Sequence, residues 1–192
     1  MNTQSHTDAL VESVLIDTLT SDGVKEFMVR NFPVNGRSRG GITALDCAVY
    51  CKRRHLVVAL VWAGADTNMK DMYGGNSVMG CAERGTADIL RVLIDGGASI
   101  NEADNFGRAP LIALVSNYDD DHVARLGVML ACSYLDLDVK FRGKTAGEWA
   151  TGRMGVCTKA MIMHERMKRS RWSVLRFSWI ASTVTATSFV AF

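Results

Sequence analysis

Residues 56–68 read LVVALVWAGADTN, and residues 87–101 read ADILRVLIDGGASIN. At an offset of 33 the second stretch falls on the first. Leu60-Val61 lands on Leu93-Ile94, Gly64-Ala65 on Gly97-Ala98, and Asn68 on Asn101. Working outward, the same offset links Asn35 to Asn68, Asp71 to Asp104, and Gly41 to Gly74 and Gly107. Leu45, Val78 and Leu111 keep an apolar register, and Val24, Phe27 and Met28 echo Val57, Leu60 and Val61. A fixed period of this size marks a stack of repeated supersecondary units.

Each unit reads as two short helices. Thr43 is a suitable N-cap, and Asp46 three residues on can complete a capping box; Thr145 and Glu148 repeat the arrangement. Leu45, Ala48 and Val49 then share one helical face. The second helix carries Leu56, Val57, Leu60 and Val61 and stops at Gly64; its copy carries Ile89, Leu90, Leu93 and Ile94 and stops at Gly96-Gly97. The polar, glycine-bearing stretches 66–75 and 99–108 suit extended turns.

Over residues 20–155 this pattern resembles the ankyrin repeat, roughly D-x-x-G-x-T-P-L-H-x-A-A followed by a helix ending L-L-x-x-G-A-D-x-N. The resemblance implies an all-α solenoid of helix-turn-helix units joined by short β-hairpin-like loops, with three to four repeats plus caps. The T-P-L-H tetrad is incomplete throughout, as TALD, NSVM, APLI and TAGE. The two middle units lack both the threonine and the histidine, so they are expected to be less rigid, the third unit most of all. The interhelix glycine survives as Gly85 but is Lys52 and Tyr118 elsewhere. From Ala109 to Thr145 the spacing is 36, which places three extra residues in the loop Tyr118 to His122.

The expected organisation is a helical N-terminal cap over 1–34 and repeats over 35–68, 69–101, 102–137 and 138–155. A basic capping helix over 156–171 and an apolar Ser/Thr-rich tail over 172–192 follow. Val156, Ala160, Met163 and Met167 lie at helical spacing and are expected to face the array. From Arg153 to Arg176 seven cations face one anion, a net of +6 that leaves −4 for the rest.

Composition excludes several classes. The chain has 192 residues, 48% of them hydrophobic, with a net charge of +2. That is enough apolar material for a core and argues against disorder. Cys47, Cys51, Cys81, Cys132 and Cys157 are odd in number and contain no C-x-x-C pair. A reduced, cytoplasmic setting is the simplest expectation, with nuclear entry open to the basic run at 166–171. The polar start MNTQSHTD lacks the pattern of a secretory signal.

No cofactor, metal site or catalytic constellation emerges. Gly143-Lys144-Thr145 lacks the upstream glycine of a phosphate loop, since position 138 is Asp138. Asp119, Asp120, Asp121 and His122 lack the spacing of a calcium loop and read as a solvated acidic loop. Cys47 and Cys51, four apart on a helix, could face one way but lack further ligands for a metal, and Cys47 and Cys81 read as small packing residues.

The expected function is therefore noncatalytic: a scaffold, expected to be monomeric, that binds another protein through a concave surface. The resemblance implies which positions face the partner. At the hairpin tips these are Arg39; Met72 and Tyr73; and Asn105, Phe106 and Arg108. On the first helices they are Tyr50 and Cys51; Glu83 and Arg84; and Ser116 and Asn117. Tyr, Met, Phe and Arg are types enriched in interface cores. Nucleic acid is disfavoured as a partner. The alternative is a repeat module attached to a membrane by its basic, apolar C-terminus.

Overall fold

A computed structural model describes residues 3–15, 19–29, 33–151 and 155–170. The apolar tail proposed for 172–192 lies outside the described residues, as do the side chains of Phe27 and Met28.

The helices are α1 (Thr3–Leu15), α2 (Ser21–Val29), α3 (Ala44–Tyr50), α4 (Arg54–Trp62), α5 (Ser77–Arg84), α6 (Ala87–Asp95), α7 (Pro110–Ser116), α8 (His122–Ala131) and α9 (Ala146–Trp149). A final helix, α10, spans 155–170. Between α8 and α9 lies a hairpin of two-residue strands, β1 (Lys140–Phe141) and β2 (Lys144–Thr145). Odd-numbered helices α1 to α9 stack on one another in an inner layer, while α2, α4, α6 and α8 stack in an outer one. Each inner helix from α3 to α7 also packs on the outer helix that follows it.

One core runs between the layers. From the inner side come Leu45, Ala48, Val78, Cys81, Leu111 and Leu114; from the outer side come Leu56, Leu60, Ile89, Leu93, Leu126 and Met129. These helices have 7 to 10 residues, too short to persist alone in water. Their order comes from this shared burial. Helices α4 and α6 end alike. Ala65 donates to the Leu60 carbonyl (2.9 Å) and Ala98 to the Leu93 carbonyl (3.0 Å), with Gly64 and Gly97 both at φ 85°. That is a Schellman cap, and its left-handed residue explains both glycines.

The capping threonines act as their spacing suggests. Thr43 and Asp46 form a reciprocal box, and the Glu148 carboxylate accepts from the Thr145 N–H and hydroxyl. The second unit needs a correction. Asn76 replaces the missing tetrad: its Oδ1 accepts from Met79 N–H (3.0 Å), and its Nδ2 donates to the Ser99 carbonyl (2.8 Å). One side chain thus supplies both the cap and a tie to the next loop. In the third unit Ala109 makes no side-chain cap, and Pro110 opens the helix instead. At the interhelix position Lys52 adopts φ 56°, as a glycine would, whereas Gly85 does not. A Cβ on Gly85 would lie 2.3 Å from Cys81 Sγ, so there the constraint is space.

The acidic loop is the largest departure from the sequence reading. Five residues, 117–121, join α7 to α8, against two between α5 and α6. They are not simply solvated. Arg125 is fully buried, donating from Nη1 to the Gly85 carbonyl (2.7 Å) and from Nη2 to Asp119 (2.6 Å). The Asp121 carboxylate accepts from Ala87 N–H at the start of α6. His122 is also fully buried, with Nδ1 3.1 Å from the Asn117 carbonyl and Nε2 2.9 Å from Thr158 Oγ. A carbonyl only accepts, so Nδ1 carries the proton and Nε2 accepts from the Thr158 hydroxyl. Burial holds the His122 pKa below its ordinary 6.5.

The capping helix is rotated relative to expectation. Thr158 and Ile162 are buried, while Val156, Met163 and Met167 face solvent. The reason lies in its arginines. Arg169 donates to the carbonyls of Leu130 (3.3 Å), Cys132 (2.8 Å) and Leu135 (2.7 Å), and Arg166 donates to Leu137 (2.8 Å) and Asp138. These bonds to backbone carbonyls hold the arginine face of the helix against the array and leave Met163 and Met167 outward.

Two stability predictions follow from the third unit. Asp119→Ala leaves a fully buried guanidinium without its carboxylate and is expected to cost about 3 kcal/mol. Arg125→Met leaves only the Gly85 carbonyl unpaired, because Asp119 reaches solvent, and should cost about 1–2 kcal/mol. Urea unfolding of both variants checks the order; a costlier Arg125→Met would refute it. The second concerns acid. Above pH 6.5 the neutral His122 ring contributes fully. Below it the unfolded chain takes up a proton that the folded site resists, so stability falls as pH drops through the folded value. Melting curves between pH 7 and 5 should show a shallower slope for His122→Gln than for the parent chain, and equal slopes would exclude the histidine as the cause.

Candidate partner-binding surface

The hairpin tips are shaped by two aspartates. Asp71 Oδ1 accepts from the N–H groups of Tyr73 (2.8 Å) and Gly75 (2.9 Å). Asp104 Oδ1 accepts from those of Phe106 (3.0 Å) and Arg108 (2.8 Å). Each carboxylate thereby closes its own turn and lifts the aromatic residue out of it. Successive tips are joined where Asn105 N–H donates to the Tyr73 carbonyl (2.8 Å). As a result the rings of Tyr73 and Phe106 sit 6.4 Å apart, tilted by 32°. They are 56% and 63% exposed, and Met72 beside them is 69% exposed.

Below the tips the inner helices supply charge. Arg108 bridges Asp104 (2.8 Å) and Glu83 on α5 (3.1 Å). The Arg84 guanidinium lies 6.0 Å from the centre of the exposed Tyr50 ring, so α3 and α5 meet through a cation–π contact. Tyr50, Met72, Tyr73, Glu83, Arg84, Asn105, Phe106 and Arg108 thus lie along adjacent units on the inner side.

The remaining sequence-predicted positions are differently engaged. Arg39 turns to the N-terminal cap, with Nε 3.4 Å from Asp8 on α1. Cys51 is a half-buried C-cap of α3. Ser116 and Asn117 fold back onto α7, donating to the carbonyls of Ile112 (2.8 Å) and Ala113 (3.1 Å).

Elsewhere the chemistry is structural. Burial pushes the Cys47 thiol up to about 11 and the Cys81 thiol up to about 12, which leaves both protonated and poorly nucleophilic. Among the described residues no group of three His, Cys, Asp or Glu side chains is arranged to hold a metal ion. Sequence reasoning missed Asp119, His122 and Arg125 as an inter-unit network. A signal existed: His122, Arg125, Leu126, Met129 and Leu130 follow the apolar period of α8, so two polar residues stood on its buried face.

Residues 40–72 match the family model of the ankyrin repeat. A curated mouse protein, fem-1 homolog A-like (Mus musculus), is 33% identical over 76 residues. That stretch covers 40% of this chain and 12% of the mouse protein, so the chain spans a small part of that relative's length. The chain thus carries an ankyrin repeat at residues 40–72, and with the 33-residue offset and the stacked helix pairs it folds over its described residues as an all-α repeat solenoid.

Proposed function

We propose that this chain is a noncatalytic scaffold that binds a partner protein through the inner face of its second and third units. Ankyrin repeats generally mediate protein–protein interaction. The observation that carries the reading here is the exposed Tyr73–Phe106 ring pair with Met72 beside it. Large rings held out by dedicated aspartate turns have no packing role that would account for them. They resemble the rigid aromatic anchors that dominate interfaces. Glu83, Arg108, Arg84 and Tyr50 give that anchor a polar surround, already paired within the chain and so restricted before a partner arrives.

The chain acts as a monomer in this reading, in a reducing compartment that keeps its five thiols free. The basic run at 166–171 supports nuclear import or nucleic-acid binding less well than its charge suggests, because Arg166 and Arg169 spend their donors on backbone carbonyls.

One observation favours the membrane alternative. Val156, Met163 and Met167 form an exposed apolar stripe on α10, flanked by the exposed Lys159 and Lys168. No described helix is long and apolar enough to cross a membrane. Vesicle flotation lost on deleting residues 172–192 would support attachment over soluble scaffolding.

The scaffold reading predicts a selective loss. In paired affinity capture from the source cell, the parent chain should retain a protein that Tyr73→Ala/Phe106→Ala does not. Each anchor is expected to be worth about 2 kcal/mol, roughly 30-fold in Kd. Circular dichroism should show unchanged helicity. Identical captures by the two baits would move the interface elsewhere.

A further inference from the structure

Lys140-Phe141-Arg142-Gly143-Lys144 forms the fourth hairpin tip. Aligned by its turn glycine, it corresponds to Asp71-Met72-Tyr73-Gly74-Gly75 and to Asp104-Asn105-Phe106-Gly107-Arg108, all three glycines having φ near 80° (80°, 83° and 77°). Lys140 therefore stands where the earlier tips place the aspartate that closes the turn. This tip closes by strand pairing instead, with Lys140 opposite Thr145 and Phe141 opposite Lys144. Only Arg142 and Gly143 make the bend, at φ 50° and 77°. Two positive φ values in a two-residue loop are the pattern of a type I′ turn, whose first position favours Asn, Asp or Gly. An arginine held there is strained, and strain of this kind points to a use for the side chain.

The charges of this tip differ from those before it. Arg39 is paired with Asp8, Lys70 with Glu102 (3.2 Å), and Arg108 with Asp104 and Glu83. Lys140, Arg142 and Lys144 are exposed and form no ion pair with a described residue. Glu148 lies within electrostatic reach of both lysines, but its carboxylate is occupied by the N–H (2.7 Å) and hydroxyl (2.8 Å) of Thr145.

Two of the three cations are also braced. The Arg142 guanidinium sits 5.2 Å from the centre of the Phe141 ring, and the Lys144 ammonium 5.6 Å from that of Trp149. The two rings pack at 5.5 Å, and Trp149 Nε1 donates to the Phe141 carbonyl (2.9 Å). Cations resting on a fixed aromatic platform lose less freedom when an anion docks.

We propose that residues 140–144 are a docking tip for an acidic peptide segment, whose carboxylates sit on Lys140, Arg142 and Lys144. The guanidinium fork suits bidentate carboxylate contact. Three cations with the exposed Asp136 and Asp138 just upstream make a short site. A nucleic acid or an anionic bilayer would call for a longer basic stripe. The site lies two units from the Tyr73 tip and stands independently of the scaffold reading.

The test uses the full chain and a fluorescein-labelled oligoglutamate peptide, read by anisotropy. Lys140→Gln/Arg142→Asn/Lys144→Gln should weaken binding about tenfold or more. Raised salt should weaken the parent chain similarly. Melting temperature should not fall, since Asn suits the first turn position. Should the triple variant lose helicity, Arg142→Asn alone still tests the site, with an expected loss of about threefold. As a control for charge removed elsewhere on the surface, Lys159→Gln/Lys168→Gln should bind like the parent. Unchanged binding by the hairpin variants, an equal loss in the control, or tighter binding of a single-stranded oligonucleotide or phosphatidylserine vesicles than of the peptide would each overturn the proposal.

Discussion

Asn35, Asn68 and Asn101 bind consecutive units at one geometry. Asn35 Nδ2 donates to the Gly64 carbonyl (3.3 Å) while its Oδ1 accepts from Asp66 N–H (2.7 Å). Asn68 does the same with Gly97 (3.1 Å) and Ser99 (2.7 Å), and Asn101 with Tyr134 (2.8 Å) and Asp136 (2.9 Å). A primary amide is the smallest side chain that both donates and accepts in one plane, so one residue satisfies two groups of the turn that follows its helix pair. Each bond is worth about 1 kcal/mol net. Their larger effect is on register, because they place each hairpin a fixed step from the next. The Asn105–Tyr73 backbone bond and the ring pair built on it depend on that step.

Much of this frame is legible in the sequence because it is local or periodic. The asparagines, the Schellman glycines and the capping boxes each occupy a position whose chemistry admits few residue types. Two failures share one physical cause. The sequence reading weighed apolar periodicity as the guide to burial, and at α10 and the 117–121 loop arginine bonds to backbone carbonyls stand against it. Arg169 faces inward because three carbonyls wait there, which turns Met163 and Met167 outward. Arg125 is buried because Gly85 presents a carbonyl in the core. Partners separated by 34 to 40 residues leave no local trace in a single sequence.

The candidate surface was less legible than the fold. The 33-residue offset placed Tyr73 and Phe106 on equivalent turns, and the structure gives them a ring contact. It could not show that Arg39 belongs to the N-terminal cap, or that Ser116 and Asn117 spend their polar groups on α7. The fourth tip reads in sequence only as an incomplete phosphate loop and a repeat hairpin, because the repeat pattern directs attention to what recurs. Lys140 and Arg142 matter as the residues that break the recurrence.

The end of the array shows how one departure requires another. Helices α4 and α6 dispose of their last carbonyls through a left-handed glycine and the two N–H groups around it. Beyond α8 the chain reads Cys132-Ser133-Tyr134-Leu135 and contains no glycine, so the same cap is not available. Carbonyls at a helix end need a donor. Arg169 brings its guanidinium from α10 to Leu130, Cys132 and Leu135, while Glu165 holds that guanidinium at 3.1 Å. A cap made by the backbone in the earlier units is here made by a side chain more than 30 residues away. Helix α8 therefore depends on α10 at its C-terminus, where α6 closes with its own backbone. His122, whose ring meets Thr158 on the same helix, strengthens that dependence. Helix α10 is in this sense part of the third unit's fold, and two of its cations, Arg166 and Arg169, serve the carbonyls beyond α8.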